Sequence, residues 1–193
     1  MPTHSGFPAL GTILLFLLIL SPFVWALVTY NTFVRLRQLI AESWSGVDTE
    51  LKRRYDLIPN LVQTVKGYAA HEQRVFEEVA AARTRAQASL GTPREQATDE
   101  NALAGALRNL FAVVEGYPTL KADQHFLALQ RELTNTEDRI QAARRFYNAN
   151  VRDLNTRIQV FPSNVIAGMF SFQPAEFFEI DQAVERTAPT VQV

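Results

Sequence analysis

The sequence contains no cysteine, which excludes disulfide bonds, thiolate metal sites and anchoring through a lipidated cysteine. It also lacks a basic excess, because 19 Lys and Arg residues face 20 Asp and Glu residues, giving a net charge of −1. A phosphate-binding surface normally carries a surplus of Lys and Arg. We therefore expect no nucleic acid among the partners of this protein.

Residues typical of catalytic sites are scarce as well. The sequence has three histidines, and the His71-Glu72 pair lacks the second histidine that a zinc-binding helix requires, since position 75 is Val75. There is no Gly-rich phosphate loop and no Gly-x-Ser-x-Gly nucleophile turn. The adjacent carboxylates Glu137 and Asp138 point in different directions around a helix and are interpreted as solvated. We predict no catalytic residue, no metal, no cofactor and no enzymatic activity.

Charged side chains are absent from Ser5 to Val34. The densest apolar part, residues 10–30, would span about 31 Å as a helix, which matches the hydrocarbon core of a bilayer. A cleavable signal peptide would have Lys or Arg before the apolar run, and this sequence has none there. We predict a short flank over residues 1–9 and a single transmembrane helix over 10–30.

The flanks of this segment predict its orientation. Only the α-amine and His4 precede the span, whereas five Lys and Arg residues follow it: Arg35, Arg37, Lys52, Arg53 and Arg54. Under the positive-inside rule, the N-terminus lies outside and the rest of the chain lies in the cytoplasm.

The remaining sequence has helical periodicity and no strand pattern. Apolar residues spaced by seven predict a helix from Ala122 to Val160 with a bundle or coiled-coil face; they are Phe126, Leu133, Ile140, Tyr147, Leu154 and Phe161. Two further runs are predicted: one from Leu61 to Ala86, which stops at "LGTPRE", where Gly91 and Pro93 mark a turn, and a short one in "ENALAGALRNLFAVVEGYP". The expected fold is all-α: the transmembrane helix continues into an elongated antiparallel bundle of three to four helices over residues 31–162.

The segment "LKRRYDLIPNLVQTVKGYAAHE" contains a proline within a helical pattern. Pro59 lacks an N–H, and its ring clashes with the carbonyl of Tyr55, so the helix should bend in line or fold sharply back there. The surrounding polar groups form either a structural junction or a partner-docking site, comprising Arg53, Arg54, Asp56, Pro59 and Asn60. A third interpretation is an enzyme site built from Tyr55, Asp56, Asn60 and His71.

Phenylalanine is concentrated in the segment after the long helix. We predict an aromatic tail over residues 163–181 that packs on the bundle, on a neighbouring subunit or on the membrane, and a flexible terminus over 182–193. Its candidate oligomer or membrane contacts are Phe170, Phe172, Phe177 and Phe178.

Three segments together resemble the signatures of the LemA family: the proline-containing segment, "RRFYNANVRDLNTRIQVFP" and "AGMFSFQPAEFFE". The resemblance extends from about Tyr30 to Asp181. It implies a single-pass protein of the bacterial cytoplasmic (inner) membrane, with an antiparallel helical bundle and no established enzymatic activity. One magnetosome-associated branch of the family is linked to shaping membrane vesicles.

Two functions of different classes remain open. The favoured hypothesis is a self-assembling membrane scaffold, with membrane lipid and further copies of the chain as partners. The small residues Ala102, Gly105 and Ala106 and the aromatic tail would supply its contacts. The alternative is a membrane-tethered adaptor that recruits a protein partner, such as a protease, through the Arg53–Asn60 junction.

Overall fold

The structure, a computed structural model, describes the backbone of residues 6–180 and the side chains of residues 11–180. These residues form six helices and no strand: α1 Gly6–Lys66, α2 Gln73–Ala88, α3 Pro93–Glu115, α4 Pro118–Lys121, α5 Gln124–Gln159 and α6 Ser163–Met169. The predicted all-α fold is confirmed, and so is the continuation of the apolar N-terminal helix into the helical part. The predicted flexible terminus, residues 182–193, lies outside the described residues, as does most of the predicted flank.

The chain divides into two compact units. The described residues of the first are 6–41 and 150–175, and those of the second are 42–149 and 176–180. The two longest helices, α1 and α5, each contribute residues to both units.

The first unit contains the apolar half of α1. This helix is long and apolar enough to cross a membrane, and none of its apolar window is buried against the rest of the chain. Beyond the window, a small core forms between α1, the end of α5 and α6. Its buried members are Phe33, Leu36, Leu154, Ile166, Ala167 and Phe172, with Ala26, Tyr30, Ile40, Ile158 and Ala175 packed around them.

The second unit contains a helical hairpin in which α2 packs against α3. The third helix was predicted to be short, but α3 has 23 residues and is longer than α2, which has 16. The Thr92 side chain accepts a hydrogen bond from the Glu95 N–H, the Glu95 side chain accepts one from the Thr92 N–H, and Pro93 follows the cap. This capping box starts the helix inside "TPRE", where a turn was predicted.

The predicted run from Leu61 to Ala86 is two helices. The first part belongs to α1, which ends at Lys66, and α2 begins only at Gln73. The apolar period is similar on both sides of the intervening turn, so periodicity alone did not reveal the break. The long helix predicted from Ala122 to Val160 is confirmed closely by α5.

Candidate functional site

A buried cluster of charges connects three helices of the second unit. Arg54 on α1 and Glu100 on α3 are 1% and 0% exposed, and Glu137 on α5 is 17% exposed at its side chain. One terminal nitrogen of Arg54, Nη1, donates to both carboxylate oxygens of Glu137, at 2.9 and 3.2 Å. The other, Nη2, donates to Glu100. A single guanidinium therefore fixes α1 relative to α3 and α5 within this unit.

Neutral donors complete the hydrogen bonding of Glu100. The Tyr55 hydroxyl donates to its carboxylate, and Gln96 Nε2 donates to Glu100 Oε1 at 3.0 Å. Gln96 Nε2 also lies 3.1 Å from the carbonyl oxygen of Ala86, which brings α2 into the cluster. Burial raises the pKa of Tyr55 to about 12, so this phenol stays protonated at neutral pH. The cluster is enclosed and, apart from Arg54 Nε, its buried polar atoms are hydrogen-bonded, which is typical of a structural network.

Pro59 lies inside a continuous helix, because α1 extends to Lys66. The predicted alternative of a chain folded sharply back at this proline is therefore wrong. Pro59 has no N–H to give to the Tyr55 carbonyl, and Arg83 on α2 supplies the replacement, its Nε donating to that oxygen at 2.7 Å. A neighbouring helix thus satisfies the carbonyl that the proline frees.

In the second unit, an asparagine of α5 holds the C-terminal segment. Asn148 Nδ2 donates to the carbonyl oxygen of Phe178, and the Phe178 N–H donates to Asn148 Oδ1, both at 2.9 Å. The Phe178 ring is fully buried and meets Trp44 edge-on at a centroid distance of 5.2 Å. The Tyr147 hydroxyl donates to the carbonyl of Glu176 at 2.9 Å.

The first unit repeats this arrangement one heptad further along α5. Asn155 Nδ2 donates to the carbonyl oxygen of Ala175, and the Ala175 N–H donates to Asn155 Oδ1, again at 2.9 Å each. The Phe172 ring stacks on Phe33 at 4.8 Å between centroids. The amide of each asparagine offers the same donor and acceptor as a peptide group, so it pairs with a backbone that has no strand partner.

The LemA family sequence pattern matches residues 43–193. The chain belongs to the LemA family. It is 30% identical to Magnetosome protein MamQ 2 of Paramagnetospirillum magneticum, over 86% of this chain and 71% of that protein. It is 27% identical to MamQ of Magnetospirillum gryphiswaldense, with the same coverage, and 25% identical to Protein LemA of Metamycoplasma hominis, over 96% of this chain and 84% of that protein.

The structure separates the residues predicted at the proline junction of this LemA-family chain. Arg54 is buried in the charge cluster, whereas the other four are exposed on α1: Arg53, Asp56, Pro59 and Asn60. Arg53 lies 3.8 Å from Glu50 on the same helix. The junction thus has a buried structural part and an exposed polar face.

The four residues of the third interpretation, an enzyme site, do not come together in one pocket. Tyr55 is buried, whereas Asp56, Asn60 and His71 are exposed. Within the described part of the chain, no group of three or more His, Cys, Asp and Glu side chains is arranged to hold a metal ion.

The four predicted tail phenylalanines also differ in their surroundings. Phe172 and Phe178 are buried in their own chain, Phe177 is half-buried, and Phe170 remains 54% exposed. The buried pair therefore packs intramolecularly, and only Phe170 presents a mainly open ring.

Sequence reasoning missed several residues that hold these sites together: Arg83, Gln96, Glu100, Glu137, Asn148 and Asn155. Glu137 was interpreted as solvated, yet it accepts from the buried Arg54. A signal existed for Gln96 and Glu100, which share the face of Leu103 and Leu107 at helical spacing.

Proposed function

We propose that this protein is a membrane-anchored helical scaffold whose copies assemble side by side and organise the bilayer. The observation that carries the proposal is the uncovered apolar half of α1. Its large side chains from Ile13 to Val28 are exposed, and none of the apolar window is buried in the chain. So much apolar surface requires lipid or another apolar helix around it. The sealed charge cluster, by contrast, offers no open site for a substrate.

The relatives support the same direction. The two MamQ relatives are named magnetosome proteins and align with 86% of this chain. We extend to this chain a role in organising a membrane, with the N-terminus outside and the helical units in the cytoplasm, as the basic residues after the span favour.

Assembly through the membrane-spanning helix is favoured over assembly through the tail. Phe172 and Phe178 are already packed within their own chain, so they are not free to bind a neighbour. The small-residue face of α3 is a second possible contact, because Ala102 is exposed and a Cβ added at Gly105 would meet only Arg108 of its own helix, at 4.0 Å. Helices in a bilayer associate through close van der Waals packing, which side-by-side spans would allow.

Disulfide scanning tests this assembly directly, because the chain has no native cysteine. Single cysteines placed at each position from 12 to 29 of the full-length protein in lipid would be oxidised, and the dimer yield measured. We expect yields that rise and fall with the helical period, marking one contact face. A cysteine at Thr98, exposed on α3, is the matched control for random collision.

The mass of the assembly provides the second measurement. The monomer mass is 21.8 kDa, and light scattering of the full-length protein should give a homogeneous multiple of it. Uniformly low disulfide yields together with a monomeric mass would contradict the scaffold.

A second candidate function rests on the exposed face of α1 around Pro59. Arg53, Asp56 and Asn60 remain open there and could bind a partner protein as an adaptor. A photo-crosslinker at Asn60 in cells should then give one discrete heterologous product, which Arg53→Glu removes. Products at twice the monomer mass would instead indicate contact between copies.

A further inference from the structure

The first unit has an exposed apolar surface outside the membrane-spanning segment. It lies at the end of α5 and on α6, and each member is at least half exposed, from 50% for Val165 to 77% for Phe161. We call it the tip surface, and its members are Val160, Phe161, Val165, Met169 and Phe170. A surface of this kind on a single unit indicates a missing apolar partner.

The tip surface belongs to a stretch without charge. No Asp, Glu, Lys or Arg occurs between Arg157 and Glu176, which is 18 consecutive residues in a chain with 20% charged residues. Within this stretch α6 has exposed as well as buried apolar side chains: Ile166 and Ala167 face the core, whereas Val165 and Met169 are exposed together with the polar Asn164. The apolar face of a helix normally packs against other apolar groups rather than lying in water.

Contacts with α1 place the tip surface beside the membrane-spanning segment. Ala26 and Tyr30 both pack against the core that contains Ile166 and Phe172. The Tyr30 ring lies 4.7 Å from the Phe170 ring, centroid to centroid. Residue 30 is the last of the densest apolar part, residues 10–30, whose length as a helix matches a bilayer core. Tyrosine is favoured at this depth, where the ring meets both hydrocarbon and headgroups.

We propose that the tip surface inserts into the lipid headgroup region of the leaflet at which α1 leaves the bilayer. Ala26 lies about one helical turn inside the apolar segment and packs against the core to which α6 contributes Ile166 and Ala167, so α6 reaches the depth of the headgroups. Exposed apolar side chains such as Phe170, Val165 and Met169 can be buried at the boundary between headgroups and acyl chains, as the apolar face of an interfacial helix is. The other possible occupant, a second copy, would leave these side chains facing polar headgroups before assembly.

This inference deepens the proposed function without depending on self-assembly. Each copy would place a spanning helix and an adjacent interfacial helix in the same leaflet. The added volume on one side of the bilayer is a physical means by which a patch of copies could bend it.

Fluorescence quenching by lipid tests the proposal on the full-length protein. An environment-sensitive dye would be attached to single cysteines at Phe161, Val165 and Met169, with one protein copy per lipid nanodisc. We expect blue-shifted emission that is largely lost when the lipids carry bromine near the headgroup end of the acyl chain. Arg152→Cys is the matched control, because this exposed residue precedes the end of α5 by about 10 Å along the helix axis.

Each other outcome would overturn the proposal. Unshifted emission that aqueous iodide quenches as strongly as at Arg152 would place the tip surface in water. Loss of iodide quenching only when several copies share a disc, without quenching by brominated lipid, would assign the surface to a second copy. Because the main measurement uses one copy per disc, its result is independent of whether the scaffold assembles.

Discussion

Replacing Arg54 by methionine should destabilise the helical units far more than the same change at its neighbour, Arg53. The Arg54 side chain is 1% exposed and bridges Glu100 and Glu137. The Arg53 side chain is 45% exposed and has only a 3.8 Å contact with Glu50. The two substitutions remove the same charge from adjacent positions, so their difference isolates burial and pairing.

The magnitude follows from what Arg54→Met leaves behind. Glu100 stays fully buried and keeps its neutral donors Tyr55 and Gln96, but it loses its only cationic partner in the cluster. Removing one partner of a buried ion pair typically destabilises by about 3–5 kcal/mol. An exposed pair such as that of Arg53 contributes about 0.5 kcal/mol or less. The expected loss at Arg54 is a large fraction of a typical unfolding free energy of about 5–15 kcal/mol.

Urea unfolding in a mild detergent, followed by far-UV circular dichroism, measures the difference. With a slope of about 1–3 kcal/mol per molar urea, Arg54→Met should lower the midpoint by at least about 1 M. Arg53→Met should lower it by less than about 0.5 M, by the same slope and its smaller energy. Arg54→Met combined with Glu100→Gln should recover part of the loss, because the buried charge is then removed.

Equal midpoints for Arg54→Met and Arg53→Met would refute this reasoning. That result would mean that the buried cluster contributes no net stability beyond what a methionine of similar length supplies.

Three further predictions follow from single contacts. Arg83→Met should destabilise by about 1–3 kcal/mol because it leaves the Tyr55 carbonyl without a donor. In a Pro59→Ala background, which restores a backbone N–H, urea unfolding should show that Arg83→Met costs less stability. An equal loss of stability in both backgrounds would contradict the idea that Arg83 replaces the missing N–H. Burial raises the pKa of Tyr55 from 10.0 to about 12, so its contribution to stability is complete below pH 10 and is lost as the pH rises towards 12. In this range the free energy of unfolding should fall less steeply with pH for Tyr55→Phe than for the unchanged protein. An unchanged slope would exclude Tyr55 as the titrating group. Asn155→Leu should increase hydrogen exchange at the Ala175 amide, which donates to the Asn155 side chain. The Phe178 amide, which donates to Asn148, is the internal control and should exchange as before. Unchanged exchange at Ala175 would show that its protection has another source.

The placement of Arg54 also changes how the adaptor hypothesis should be tested. A double reversal of Arg53 and Arg54 would unfold the buried cluster as well as alter the surface. Arg53→Glu alone changes the exposed face, because its side chain is 45% exposed and its ion pair is long. Loss of partner binding in that single variant, with unchanged helicity, is therefore the informative result.

The periodic apolar pattern was enough to predict the main helices. The seven-residue spacing predicted α5 and its buried face from Phe126 to Leu154, whereas Phe161, the last residue of that spacing, lies beyond the helix and is 77% exposed. The uncharged run up to Val34 predicted an apolar helix of membrane-spanning length. Both patterns are local, since the side chains on one helical face are determined by spacing alone. The family resemblance rested on long segments and was confirmed.

Helix ends were harder to predict because capping competes with periodicity. Thr92 and Glu95 start α3 by reciprocal hydrogen bonds, although Gly91 and Pro93 had suggested only a turn. Conversely, the helix was expected either to bend in line or to fold sharply back at Pro59; it continues, and Arg83 from another helix satisfies the carbonyl that the proline frees. A rule for single residues fails where a distant side chain satisfies the backbone group that the rule leaves unpaired.

The sequence by itself thus determined the all-helical class, the apolar segment of α1 and the face of α5 that is buried. Only the tertiary structure decided which of two adjacent arginines is buried, how the helix passes Pro59, and that Asn148 and Asn155 hold the tail. The physical reason is the separation along the chain of the residues that interact. Helical periodicity depends on residues three to seven apart, whereas the Arg54 to Glu137 pair joins residues 83 positions apart and exists only once the helices have packed.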